Sequence, residues 1–283
     1  MTPLVAAAVL MAAVTHASWN AIAARIKDQL LSFTLISGGG ALIGGVTACF
    51  VPLPAAGAWP YLIASAVLHV AYMALLMKSF TLGDFGQMYP IARGTAPLVV
   101  TLLAAVFVGE IPDAGQLAGV AVACAGLTGL ALWGIRGKGA RPHWPALLAA
   151  GATGLAIAAY TVVDGVGVRA AQTPLGYIAW LMVLEGLAIP AYTFYRRRAA
   201  LASQLRPYAA RGLLAAAMSV AAYGFVLWAQ TKAPLAPIAA LRESSIIVGA
   251  AIGALLFKER FGGPRIAAAG LMVVGIGLML YAS

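Results

Sequence analysis

The chain alternates long apolar stretches with short polar breaks, and ten of the stretches read as membrane-crossing helices. They fall near residues 3–24, 30–51, 59–80, 87–109, 115–135, 144–163, 174–195, 208–230, 235–257 and 264–281. Each is close to the ~20 predominantly apolar residues that a bilayer crossing requires. The breaks leave no room for a soluble domain, so the expected fold class is an all-α membrane protein.

The ten segments divide into two sets of five. A shift of 149 residues places Arg93 on Arg242, Glu110 on Glu259, Ala105 on Ala254, Ala118 on Ala267 and Gly126 on Gly275. Residues 3–135 and 144–281 then read as two related five-helix units. An odd number of crossings per unit makes the second unit enter the membrane in the opposite sense, and inverted repeats of this kind commonly surround a substrate site near the bilayer midplane. The expectation is ten transmembrane helices in two inverted five-helix repeats around a central cavity.

Composition agrees with the patterning. Hydrophobic residues make up 63% and charged residues 9%, with a mean hydropathy of +0.94, against ~45–50% and ~25% for soluble domains. The first basic residue is Arg25, so the first apolar segment lacks the positive start of a secretory signal and reads as a retained helix. Cys49 and Cys124 lie in apolar segments without metal-ligand spacing, which assigns them to packing.

A net charge of +10 would suit nucleic acid if the basic residues were clustered, but their placement follows the membrane instead. Of the 18 Lys and Arg residues, loops after even-numbered segments hold only Arg169 and Lys232, and Arg93 and Arg242 lie within segments. The other fourteen lie at the odd-numbered loops. The positive-inside rule puts those loops in the cytoplasm and both termini outside it. The expected setting is a bacterial inner membrane, with the lipid bilayer and a small-molecule substrate as partners, no nucleic acid, no cofactor, and a functional monomer.

An arginine at a helix centre costs at least ~2.5–3.5 kcal/mol on insertion scales, so Arg93 and Arg242 need inward partners. Either guanidinium could hold a substrate carboxylate through forked hydrogen bonds. Alternatively, each braces open backbone or pairs with an acid, Arg242 with Glu243 or Glu185. Pro90 and Pro97 bracket Arg93, and Pro234 and Pro237 precede Arg242. Proline removes a donor and frees an upstream carbonyl, which predicts bends there, facing protein or a watery cavity. Gly249 and Gly253 are spaced for close helix contact.

His16, Trp19 and Asn20 share one helix face by their spacing, as do His69 and Tyr72. Tyr89 is one turn from Arg93, and Tyr160 one turn from Asp164. With Glu243, these side chains are the candidate lining of an amphiphilic substrate pocket; the alternative is a network of mutually satisfied buried groups. Glu185, Glu243, Asp164, His16 and His69 are candidate proton carriers, histidine because of its ordinary pKa near ~6.5. Asp164 and Glu110 fall near predicted helix ends, where solvated anchoring is expected. Uncoupled exchange is the simpler expectation for the transport cycle.

The run His16-Ala17-Ser18-Trp19-Asn20, the run Tyr160 to Gly165, Glu110, and Lys258-Glu259-Arg260 resemble EamA-type members of the drug/metabolite transporter superfamily. The resemblance extends over nearly the whole chain. It implies ten helices in two inverted repeats, a central cavity, and export of amino acids or related metabolites by alternating access, with bacterial YddG-type amino-acid exporters as a comparison. Other metabolites or drugs are the alternative cargo. Smaller multidrug relatives carry a glutamate in the first helix where this chain has His16, which sets their proton-for-drug mechanism apart.

The competing class is a membrane enzyme or haem protein using His16 and His69 as ligands. The sequence contains no Walker loop, no H-E-x-x-H zinc motif and no G-x-S-x-G elbow. The chain is therefore read as a carrier and not an enzyme, with no catalytic residue and no metal site.

Overall fold

The computed structural model describes residues 1–83, 88, 91–93, 96–136, 144–256, 267, 270, 271, 273–275, 277 and 278. The calls on Tyr89, Pro90, the Lys258-Glu259-Arg260 helix end and most of the tenth apolar segment lie outside them. The described residues are helical with no strand. Among the described residues, five helical stretches are long and apolar enough to cross a membrane: Pro3–Arg25, Gln29–Ala48, Ala56–Leu82, Trp144–Ala170 and Pro174–Gln230, with a shorter apolar helix at Ala114–Gly126.

The helices are α1 (Pro3–Arg25), α2 (Gln29–Ala48), α3 (Trp59–Leu82), α4 (Ala96–Phe107), α5 (Ala114–Arg136), α6 (Trp144–Ala170), α7 (Pro174–Gly186), α8 (Ala188–Arg197), α9 (Leu201–Leu205), α10 (Ala209–Gln230), α11 (Leu235–Arg242) and α12 (Ser245–Leu256). Three of the starts, those of α1, α2 and α7, carry side-chain caps. The side chains of Thr2, Asp28 and Thr173 accept from the free amides of Val5, Leu31 and Gly176, and Pro3 and Pro174 occupy the first turns where no donor is needed.

Polarity runs inside out relative to a water-soluble bundle. Leu42, Leu102, Phe50 and Leu148 are exposed, whereas Asn20, His69, Arg93, Asp164, Gln230, Arg242 and Glu243 are buried. Such a surface suits hydrocarbon, and the interior then has to satisfy the polar groups internally.

The helix pairings occur in matched sets. α3 packs on α6 as α1 packs on α10; α3 meets α7 as α10 meets α2; and α4 meets α6 as α12 meets α1. α2 and α7 pack against each other at the centre of this exchange. Their seam needs small residues: a Cβ on Gly44 would lie 2.6 Å from the Ala179 carbonyl oxygen, and one on Gly186 would lie 2.5 Å from that of Ser37. Backbone cannot yield as a side-chain tip can, so Gly44→Ala is expected to destabilise the fold by ~1–3 kcal/mol. A thermal melt in detergent checks this, and an unchanged melting temperature would contradict it.

Among the described residues two spans are interrupted. The seventh apolar segment divides at Leu187, between α7 and α8, and the ninth divides at Glu243 and Ser244, between α11 and α12. The second break corrects the expected bend at the prolines. Pro234 is the N-cap of α11 and Pro237 lies in its first turn, where a missing amide costs little. The chain turns after Arg242 instead, through tight bonds from Glu243 N to Ala240 O and from Ser244 N to Leu241 O.

Candidate functional site: a buried charge network

Arg93, just before α4, and Glu243, in the break after α11, meet in the interior. Arg93 Nε donates to Glu243 Oε2 at 3.0 Å and Nη2 donates to Oε1 at 2.8 Å, a two-pronged pair with both side chains at most 2% exposed. Glu243 therefore serves Arg93 and not its neighbour Arg242, which corrects the pairing expected from sequence. Arg93 Nη1 also lies 3.3 Å from His16 Nε2. Arginine only donates, so this contact makes His16 Nε2 an acceptor and the ring neutral. His16 stands edge-on to Trp19, with ring centroids 5.3 Å apart, and its carbonyl accepts from Asn20 Nδ2 at 2.9 Å. The predicted shared face is thus present.

Arg242 is 3% exposed. Its Nη2 reaches Thr161 Oγ1 at 3.5 Å, and its Nε has no hydrogen-bond partner among the described residues. Trp19 Nε1 and Asn20 Oδ1 are likewise buried without partners there. Trp19, Tyr72 and Tyr160 belong to one apolar cluster with Phe33, Ile36 and Ile157, so unmet polar atoms border an aromatic wall. Arg242 is within electrostatic reach of His16, Tyr160, Asp164 and His69.

A second cluster surrounds His69 on α3. Its ring stacks on Tyr160 at 3.9 Å and stands edge-on to Tyr223 at 5.0 Å and to Tyr72 at 6.2 Å. Asp164 accepts from the Tyr177 hydroxyl at 2.8 Å and from the Tyr223 hydroxyl. It is fully buried, because α6 continues to Ala170 and does not end beside it. The expectation of a solvated anchor at Asp164 is overturned on that account. At Glu110 a partly exposed anchor is found, 2.7 Å from Arg169.

That Arg169–Glu110 pair ties one end of the bundle. Arg169 donates to the Gln230 and Ala233 carbonyls at 2.8 and 3.1 Å, and Glu110 Oε2 accepts from Leu235 N at 2.7 Å. The cation thus closes the C-terminus of α10, the acid closes the N-terminus of α11, and each matches the local helix dipole. At the far end of α3, beyond the site, lies a cavity of about 1090 Å³ lined by residues including Lys27, Asp28, Met77, Lys78, Phe80 and Tyr192.

Residues 144–281 match the EamA-like transporter family. The EamA-like half carries Tyr160, Asp164, Glu185, Arg242 and Glu243, and the first half supplies His16, Trp19, Asn20, His69, Tyr72 and Arg93. A solved protein crystal structure is similar over 99% of this chain and 97% of its own, with a TM-score of 0.69 and 17% sequence identity; at that identity the likeness speaks to fold alone. No curated protein matches the chain by sequence. The EamA-like match, with the apolar helices, supports a membrane transporter of small molecules.

Thr161, Tyr177 and Tyr223 join the site without any signal in the local sequence. A tyrosine or threonine in an apolar helix looks the same whether it faces lipid or a buried carboxylate. Among the described residues no group of three or more His, Cys, Asp or Glu side chains has the arrangement of a metal site.

Proposed function

We propose that the chain is a ten-helix carrier, built from two inverted five-helix repeats, that exports small metabolites by alternating access across a bacterial inner membrane. Amino acids are the cargo this reading favours. The observation that carries it is Arg242: a guanidinium 3% exposed, with an unmet Nε. A buried cation without a carboxylate is costly, and a substrate carboxylate would relieve that cost through charge-assisted hydrogen bonds. Trp19 Nε1 and Asn20 Oδ1 offer one further donor and one acceptor to a zwitterion, while Trp19, Tyr72 and Tyr160 offer an apolar wall. His16, Arg93 and Glu243 act behind this surface as a brace, with His69 on its other side. The matched helix pairings support the inverted repeat. The Arg169–Glu110 tie at one end and the cavity at the other suit a carrier closed at the first end and open toward the second.

Counterflow in proteoliposomes with labelled amino acids, amines and sugars tests the assignment. Exchange of at least one amino acid is expected; exchange confined to another solute class would remove the amino-acid reading. The orientation is tested separately. The basic loops place both termini outside the cytoplasm, so a C-terminal reporter that is active only in the cytoplasm should be silent, and an active one would invert the topology.

A further inference from the structure

Two arginines and three acids lie in the interior among the described residues: Arg93 and Arg242 against Asp164, Glu185 and Glu243. Arg93 and Glu243 neutralise each other. Even if Arg242 is counted against Asp164, one carboxyl remains without a cation, and that carboxyl is Glu185. Its side chain is 11% exposed, yet its Oε2 is buried and has no hydrogen-bond partner among the described residues. A charged carboxylate in that position, with no permanent cation and no hydrogen bond among the described residues, is strongly disfavoured.

The group facing it is His69. Its Nδ1 lies 3.0 Å from the Ser65 carbonyl oxygen, which can only accept, so Nδ1 carries a hydrogen. The same nitrogen is 3.5 Å from Glu185 Oε2 and 4.0 Å from Asp164 Oδ2. Asp164 differs from Glu185 in already receiving two tyrosine hydroxyls, which suits it to remain a carboxylate. Among the described residues, the polar and ionisable groups that meet the cluster include Ser65 and Tyr72 on α3, Tyr160 on α6, Tyr177 on α7, Tyr223 on α10 and Arg242 on α11, with Ser37 of α2 beside Gly186. None but Arg242 supplies a permanent positive charge.

We propose that His69, Glu185 and Asp164 form a proton site in which Glu185 holds an exchangeable proton that couples the carrier to the proton gradient. The proton resides on Glu185 while the cluster is closed and passes to water when the cluster opens, leaving a carboxylate toward which the neutral His69 ring can turn its Nδ1–H. The α7–α8 break at Leu187 follows Glu185 by two residues, so movement of α8 against α7 would change what Glu185 faces. Coupling rests on the transport reading above, whereas the proton site does not, and it replaces the uncoupled exchange expected from sequence.

Infrared difference spectroscopy of the purified full-length protein, in water and in deuterium oxide at neutral pH, reads the site without any substrate. A protonated carboxyl C=O band that shifts on deuteration is expected in the wild type. It should disappear in Glu185→Gln, which keeps the side chain's shape, and persist in Glu110→Gln. Absence of the band from the wild type, or its survival in Glu185→Gln, overturns the proposal; the wild-type spectrum decides the first point even if the variant fails to fold. In proteoliposomes, a pH gradient should drive accumulation of the labelled amino acid that counterflow identifies, and a protonophore should abolish it. Counterflow indifferent to the gradient overturns coupling and leaves transport standing. The band without any counterflow supports the proton site and removes the transport reading.

Discussion

Replacing Arg242 with alanine is expected to lower amino-acid transport about 10- to 100-fold with membrane expression retained. The magnitude follows from the ~1.5–3 kcal/mol of a hydrogen bond to a charged group at ~1.4 kcal/mol per tenfold. The variant removes a buried charge that has no carboxylate partner of its own among the described residues, so the fold loses little by its deletion. Arg242→Lys should recover only part of the rate, because an ammonium keeps the charge but lacks the forked geometry. Arg197→Ala is the control. Its side chain is 34% exposed and pairs with Asp28 at 2.7 Å, a contact of the kind worth ~1 kcal/mol or less. Wild-type transport by a normally expressed Arg242→Ala protein would defeat the assignment of Arg242 to substrate.

Arg93 should behave differently although it occupies the corresponding place in the other half. Arg93→Ala leaves Glu243 buried without its cation, and Glu243→Ala leaves Arg93 without its anion. Either single change is expected to cost ~3–5 kcal/mol of stability and to appear first as lost protein in the membrane. Replacing both with methionine removes the charges together, so the double variant should melt well above either alanine variant. The cycle of single and double replacements would then be strongly non-additive. Additive losses would show that the two side chains act separately and that their pairing does not hold α11 and α12 at the break.

The contrast between the two arginines follows from what lies beside them. Glu243 follows Arg242 in the chain, while Gly94 follows Arg93, so the repeat contributes two cations and one acid to the same interior. The acid turns to the cation of the opposite half, 150 residues away. Local spacing makes Arg242 and Glu243 look like a natural pair. Adjacent residues on a helix point in different directions, however, and the turn after Arg242 directs Glu243 across the bundle.

Much of the membrane character was legible from the residues alone. Apolar runs long enough to cross hydrocarbon cannot be disguised, since water would expel them and lipid demands them. The basic loops carry their own topological message, and the neighbours His16, Trp19 and Asn20 needed only helical spacing to be placed together. Prolines gave a less faithful reading: Pro234 and Pro237 mark where α11 begins, whereas the break comes at Glu243, where tight turns interrupt the span.

By itself the sequence determined that this is a helical membrane protein with ionisable groups inside its spans, because length, hydropathy and charge placement are properties of single segments against a bilayer. Tertiary structure alone decided which of those groups are neutralised and which are left open. Arg93 is closed by Glu243, Asp164 is held by Tyr177 and Tyr223, and Arg242 Nε and Glu185 Oε2 have no hydrogen-bond partner among the described residues. Partner choice among buried charges is made by packing between helices far apart in the chain, and no local periodicity encodes it.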